Sequence, residues 1–174
     1  YSGSAKEAKV NSTISGVYPD VAYTGSLTDG KPVNAGAYKA SVTLDDAKVE
    51  IEFTIQPKTV TSPIIRLDGS FEYVNGPVEP AVTVWADSDT QIDAGEYSIA
   101  YANNTAVGTG TVTVTDKEGG NYTFSPASKD FTIRDHEHWL HYAFSGNSYV
   151  VSCQTEGCGA KATITEMAED AVYD

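Results

Sequence analysis

All three histidines and both cysteines of this 174-residue chain fall between His136 and Cys158. His136-Glu137-His138 sets two imidazoles two positions apart, which on a strand is one face. Cys153-Gln154-Thr155-Glu156-Gly157-Cys158 carries two thiols on either side of a Gly-containing turn. Two thiolates and two imidazoles form a tetrahedral donor set that suits Zn²⁺, a borderline-soft ion with little geometric demand of its own. The reading is one closed, structural zinc site at His136, His138, Cys153 and Cys158, with His141 able to replace either imidazole. A Cys153 to Cys158 disulfide competes with it, because thiols pair wherever the compartment is oxidising and a short hairpin separation meets the geometry of a bridge. Free thiols are the third reading. The disulfide leaves the His-x-His pair unexplained. A segment of about 30 residues is too small to sustain its own core, so a metal or a bridge is the expected staple.

Other chemistries have thinner support. Asp135, His141 and Ser145 include the residue types of a hydrolytic triad, but they share one hydrophilic stretch and lack a nucleophile-elbow glycine frame. No catalytic residue, and no cofactor other than zinc, is assigned, and the chain is read as a non-enzyme. Glu50 and Glu52 read as a solvated strand face, and Asp87-Ser88-Asp89 as a plain acidic loop without the ligand ring of a Ca²⁺ site. Trp85, Trp139 and eleven tyrosines offer stacking surfaces for a sugar. Most of the tyrosines lie in alternating strands, where packing explains them. Trp85 continues Val82 and Val84 with a change of parity, which places its ring at a sheet rim.

The elements that must position these groups are strands. Tyr38, Ala40, Val42 and Leu44 alternate with polar residues, as do Val49, Ile51, Phe53 and Ile55, then Val112 and Val114, and Thr163-Ile164-Thr165. A period of two buries one row of side chains and wets the other. Turn signals separate the runs at Asp29-Gly30, Asn34-Ala35-Gly36, Asp68-Gly69, Asn75-Gly76-Pro77, Asp93-Ala94-Gly95, Asn103-Asn104 and Gly119-Gly120-Asn121. No window carries helical apolar spacing, so the chain is read as all-β. Residues 56–63, with Pro57 and Pro63, read as a short stiff linker.

The chain also repeats itself. Tyr1-Ser2-Gly3 opens a stretch that closes at Phe53-Thr54-Ile55, and Phe71-Glu72-Tyr73 opens one that closes at Phe131-Thr132-Ile133, with Ala35-Gly36-Ala37-Tyr38 echoed by Ala94-Gly95-Glu96-Tyr97. Repetition of this kind argues for architecture before chemistry. The passages from Pro32 to Tyr38 and from Glu96 to Val114, with Gly120-Asn121-Tyr122 and the two Phe-Thr-Ile exits, resemble MBG-type, bacterial immunoglobulin-like repeats. That resemblance covers about three quarters of the chain. It implies stalk modules of large secreted or wall-attached bacterial proteins, and small Ig-like β-sandwiches as their fold. The expected organisation is a repeat at 1–57, a second at 63–133, a zinc-ribbon-like Cys/His β segment at 134–166, and the start of a further repeat at 167–174.

Charge bounds the partners. With 24 acidic residues against 11 basic ones, the formal net charge is −13, which repels phosphate backbones and anionic headgroups. Nucleic acid is therefore not expected as a partner. No apolar stretch approaches the roughly 20 residues that cross a bilayer, so membrane insertion is not expected either. The expected partners are neighbouring repeats of the same chain, in a monomer at the bacterial cell surface. An adhesin that binds a host or cell-surface glycan or protein through exposed aromatics is the alternative.

Overall fold

The computed structural model describes residues 1–11, 13, 17–145 and 148–165. The expected entry to another copy at 167–174 lies outside the described residues. The chain is all-β: among the described residues, fifteen strands are joined by turns and by one short 3₁₀ turn at Ala94–Glu96. No helix among the described residues is long and apolar enough to cross a membrane.

A first three-stranded sheet runs β1 (Ala22–Thr24), β2 (Gly36–Leu44), β3 (Ala47–Ile55). β2 and β3 form an antiparallel hairpin in which Tyr38 faces Phe53 and Ala40 faces Ile51. Its two-residue turn is Asp45-Asp46, with Asp45 at φ 51°. Asp tolerates the left-handed region because its short side chain bonds locally.

Residues 56–63 differ from a free linker. Within them β4 (Lys58–Thr59) pairs parallel with β11 (Tyr122–Thr123). The Lys58 N–H donates to the Asn121 carbonyl at 2.8 Å and the Val60 N–H to that of Thr123 at 2.9 Å. Pro57 and Pro63 lack the ladder donor, and they flank this pairing without interrupting it.

A sheet of β5 (Ile64–Leu67), β7 (Val82–Trp85) and β8 (Gln91–Ile92) comes next, and a four-stranded sheet has the order β6 (Phe71–Tyr73), β12 (Ala127–Asp135), β10 (Gly108–Asp116), β9 (Tyr97–Ala102). β12 pairs parallel with β6, setting Ile133 beside Phe71 and Asp135 beside Tyr73. Phe131 therefore lies on a strand flanked by neighbours on both sides, whereas Phe53 lies on β3, which ends its sheet. The last sheet is an antiparallel meander of β13 (Leu140–Ser145), β14 (Ser148–Cys153) and β15 (Lys161–Thr165).

The chain divides into two compact units, residues 1–66 with 82–100 and 113–128, and residues 67–81 with 101–112 and 129–174. The first buries Tyr38, Ala40, Ile55, Val60, Ile65, Val84, Ile92, Val114, Tyr122 and Phe124. The second buries Val112, Phe131, Ile133 and Cys153, together with two polar side chains, Asn104 and His136. Gly110 of β10 is fixed by packing: a Cβ there would come within 2.5 Å of the Phe131 ring. Asn104 is buried at no cost in lost hydrogen bonds, since its side chain donates to the Val78 carbonyl at 3.1 Å and its own carbonyl accepts the Val78 N–H at 2.8 Å.

Candidate metal centre

β12 and β6 end together, at Asp135 and Tyr73, and the site is built just beyond that shared edge. The Tyr73 carbonyl accepts the Nδ1–H of His136 at 2.8 Å. The imidazole, in place of the next ladder bond, satisfies that carbonyl. His136 and His138 consequently lie past the end of β12, and not on a strand face as the i, i+2 spacing predicts. They converge nonetheless, with ring centroids 4.4 Å apart and planes 74° to one another.

Commitment of Nδ1–H to a carbonyl fixes the tautomer and leaves the Nε2 lone pair free to bind a cation. His136 Nε2 lies 3.8 Å from Cys153 Sγ. His136 is buried, and Asp135 Oδ1 approaches its Nδ1 at 3.7 Å from the solvent side.

The thiols come from the end of β14 and the turn beyond it. The Cys153 N–H donates to the Ala160 carbonyl at 3.0 Å, which keeps the two arms of the loop together. The Cys158 N–H closes back on the Thr155 carbonyl at 3.0 Å. Gly157 occupies the third position of that turn with φ 81°, a conformation that L side chains resist. Thr155 donates its N–H to Cys153 Sγ at 3.4 Å. Cys158 Sγ lies 3.7 Å from His138 Nδ1.

One ligand atom from each of His136, His138, Cys153 and Cys158 lies within 4.8 Å of every other. The four residues named from their spacing are therefore brought together, close enough to hold a metal ion. Both cysteines are free thiols, with Cys153 buried and Cys158 half-buried. His141 lies outside the cluster: it sits on β13 opposite Ser152, exposed, while its neighbour Leu140 is the residue opposite Cys153.

The electrostatics favour ligand chemistry. Hydrogen bonding from Thr155, then from the two imidazoles, outweighs burial and lowers the Cys153 thiol to about 5. A thiolate is the form that binds metal. The bond to Cys153 and the Tyr73 carbonyl raise His136 above its ordinary value, against the effect of desolvation. At Cys158 the Ala160 backbone hydrogen bond lowers the thiol, but burial and the adjacent Cys153 sulfur together push it up. The two thiols are thus pushed in opposite directions, Cys153 toward the thiolate and Cys158 toward the protonated form.

Most of the remaining groups singled out in the sequence have structural partners. Asp87 Oδ1 accepts the N–H groups of Asp89 and Thr90 at 3.1 and 2.8 Å, and its other oxygen faces Lys58 at 3.5 Å. Lys39 lies between Glu50 and Glu52, at 3.6 and 3.3 Å. Trp85 is half-buried under the Arg66 guanidinium, 4.1 Å from the ring centroid. Trp139 is 74% exposed. Asp135 turns to His136 and not to His141.

Compared with protein-family models, with curated proteins and with solved structures, the chain matches none.

Proposed function

We propose that this chain is a non-catalytic spacer segment of a large exported bacterial surface protein, built from MBG-type, Ig-like repeats and closed by a β-meander that one structural zinc ion fastens. The observation that carries the zinc reading is the pair of nitrogen to sulfur distances, 3.8 Å at His136 and Cys153 and 3.7 Å at His138 and Cys158. Zn–S bonds of about 2.3 Å and Zn–N bonds of about 2.0–2.1 Å at the tetrahedral angle require a ligand separation of about 3.6 Å. Those two pairs stand close to that separation, and all four ligand atoms lie within 4.8 Å of one another.

Support for spacing comes from the joint between the two sequence repeats. Asn121 accepts the Ala35 N–H through Oδ1 at 2.7 Å, while its amide donates to Glu96 Oε1 at 2.8 Å and to Asn34 Oδ1 at 3.2 Å. The Tyr1 ring meets Tyr122 edge-on at 5.4 Å. A joint tied by side chains and by the β4 to β11 ladder holds neighbouring modules at a fixed angle, as a stalk requires.

Native mass spectrometry before and after chelation tests the zinc. The expected result is one zinc per chain, lost with local unfolding of the meander. A metal-free chain with two fewer protons would replace zinc by a disulfide. Surface display tests the spacer: shortening the parent by this segment should reduce reach without loss of ligand binding. Sugar binding abolished by Trp139→Ala would establish the adhesin reading in its place.

A further inference from the structure

One face of the meander carries a surface that the metal centre touches only at its Cys153 end and that the joint between repeats does not use. In its register Tyr142 stands opposite Val151 and Phe144 opposite Tyr149, and Val151 and Tyr149 stand opposite Ala162 and Ile164 on the third strand. Directly opposed residues share a face. One face therefore presents Leu140, Tyr142, Phe144, Tyr149, Val151, Ala162 and Ile164, with the buried metal ligand Cys153 at its end, and carries no Asp, Glu, Lys or Arg, while Lys161 falls on the other. Tyr142, Phe144, Tyr149 and Ile164 are 67, 61, 61 and 71% exposed. With aromatic side chains of about 150–250 Å² each, these four residues leave roughly 500 Å² of surface in water. A monomer's largest patch is typically about 300–600 Å², and one partner's share of a standard interface is about 800 Å².

The geometry of the rings narrows the occupant. Phe144 and Tyr149 meet edge to face, with centroids 4.9 Å apart and planes at 61°, so they form no flat shelf for a pyranose. A net charge of −13 disfavours an anionic bilayer. A second copy needs no flat shelf, and the repulsion between two acidic chains acts at long range and is screened by salt. The face is self-complementary, and its lack of charge lets two acidic chains touch there without like charges in contact. We infer that this face packs against the same face of a second copy, closing two open meanders into a two-layer sandwich. The pairing is isologous, with one patch used on both chains, and aligned sheets of this kind stack about 10 Å apart. The inference departs from the monomer expected from the sequence, and the oligomeric state decides between them.

Sedimentation equilibrium on the whole chain, from micromolar to millimolar concentration, tests the pairing. A monomer to dimer equilibrium is expected, strengthened by added salt as the net charge is screened. Phe144→Glu should weaken association by at least about tenfold, whereas Thr163→Glu on the opposite face should leave it unchanged. Both positions are exposed, and retained far-UV circular dichroism confirms that each variant folds. A chain that stays monomeric throughout, or a dimer that Phe144→Glu leaves intact, overturns the inference. Phe144-dependent binding of a monomeric chain to zwitterionic vesicles or to a soluble polysaccharide overturns it as well.

Discussion

His136 Nε2 faces Cys153 Sγ at 3.8 Å, across a loop of seventeen positions, while the opposite nitrogen of the same ring is held by the Tyr73 carbonyl. That relationship orients an imidazole toward a sulfur before any cation arrives. Ligand orientation by an outer hydrogen bond typically alters metal affinity by 10- to 100-fold. The site is accordingly preorganised by β6, an element distant in sequence from all four ligands.

Removal of a ligand should separate the cluster from its neighbours. Cys153→Ser and His136→Ala are expected to abolish stoichiometric zinc binding, and His138→Ala to weaken it at least about tenfold. His141→Ala should bind as the unaltered chain does, because His141 stands opposite Ser152 and outside the cluster. Competition titration with a chromogenic chelator reads each affinity.

The two thiols should titrate far apart in the metal-free protein. Cys153 is lowered to about 5, and Cys158 is raised above its ordinary value of 9.0. Thiolate absorbance near 240 nm should therefore rise in two steps. For stability the signs differ. The Cys153 contribution is complete above the unfolded value of 9.0, declines as pH falls, and is gone below about 5. The His136 contribution is complete below 6.5 and is lost as pH rises through its raised value. Zinc binding at neutral pH should release the Cys158 proton and part of the His136 proton, more than one in all, measurable by calorimetry in buffers of different ionisation enthalpy. Release of no proton would contradict this assignment.

Much of the centre was legible because its ligands are rare in this chain. Pooling every His and Cys into residues 136–158 left few alternatives, and the all-β class came from a period of two along β2, β3 and β10. Three features escaped. The Tyr73 carbonyl is a backbone group, without a residue-type signature. The Asp45-Asp46 turn lacks the glycine that marks most hairpins, and only its place between two alternating runs pointed to it. The strand at Lys58–Thr59 lies between prolines, where composition argues against a ladder, and its partner at Tyr122–Thr123 is more than sixty positions away.

Two glycines should tolerate no side chain, for different reasons. Gly157→Ala forces a Cβ into positive φ at 81° and should cost about 1–2 kcal/mol, with weaker zinc binding because the turn aims Cys158. Gly110→Val drives side-chain atoms into the Phe131 ring and should cost about 1–3 kcal/mol, with the zinc affinity of the folded protein unchanged. Chemical denaturation and metal titration on both variants separate the two effects.

Asn121 makes three of the side-chain bonds at the joint, and its loss should loosen it. Asn121→Ala removes the bonds to Ala35, Asn34 and Glu96 and is expected to destabilise by about 1–2 kcal/mol. Backbone ¹⁵N relaxation should then show residues 1–55 reorienting independently of residues 113–128, whereas the unaltered chain shows common rotational behaviour for both. Identical relaxation in the two proteins would remove the joint from the spacer account.

X-ray absorption at the zinc K-edge of the purified chain tests the centre most directly. The account predicts two sulfur scatterers at about 2.3 Å and two imidazole nitrogens at about 2.0–2.1 Å, with loss of one sulfur shell member in Cys158→Ser. A zinc surrounded by oxygen and nitrogen alone, or a chain that holds no zinc and instead shows sulfurs bonded at about 2.05 Å, would contradict it.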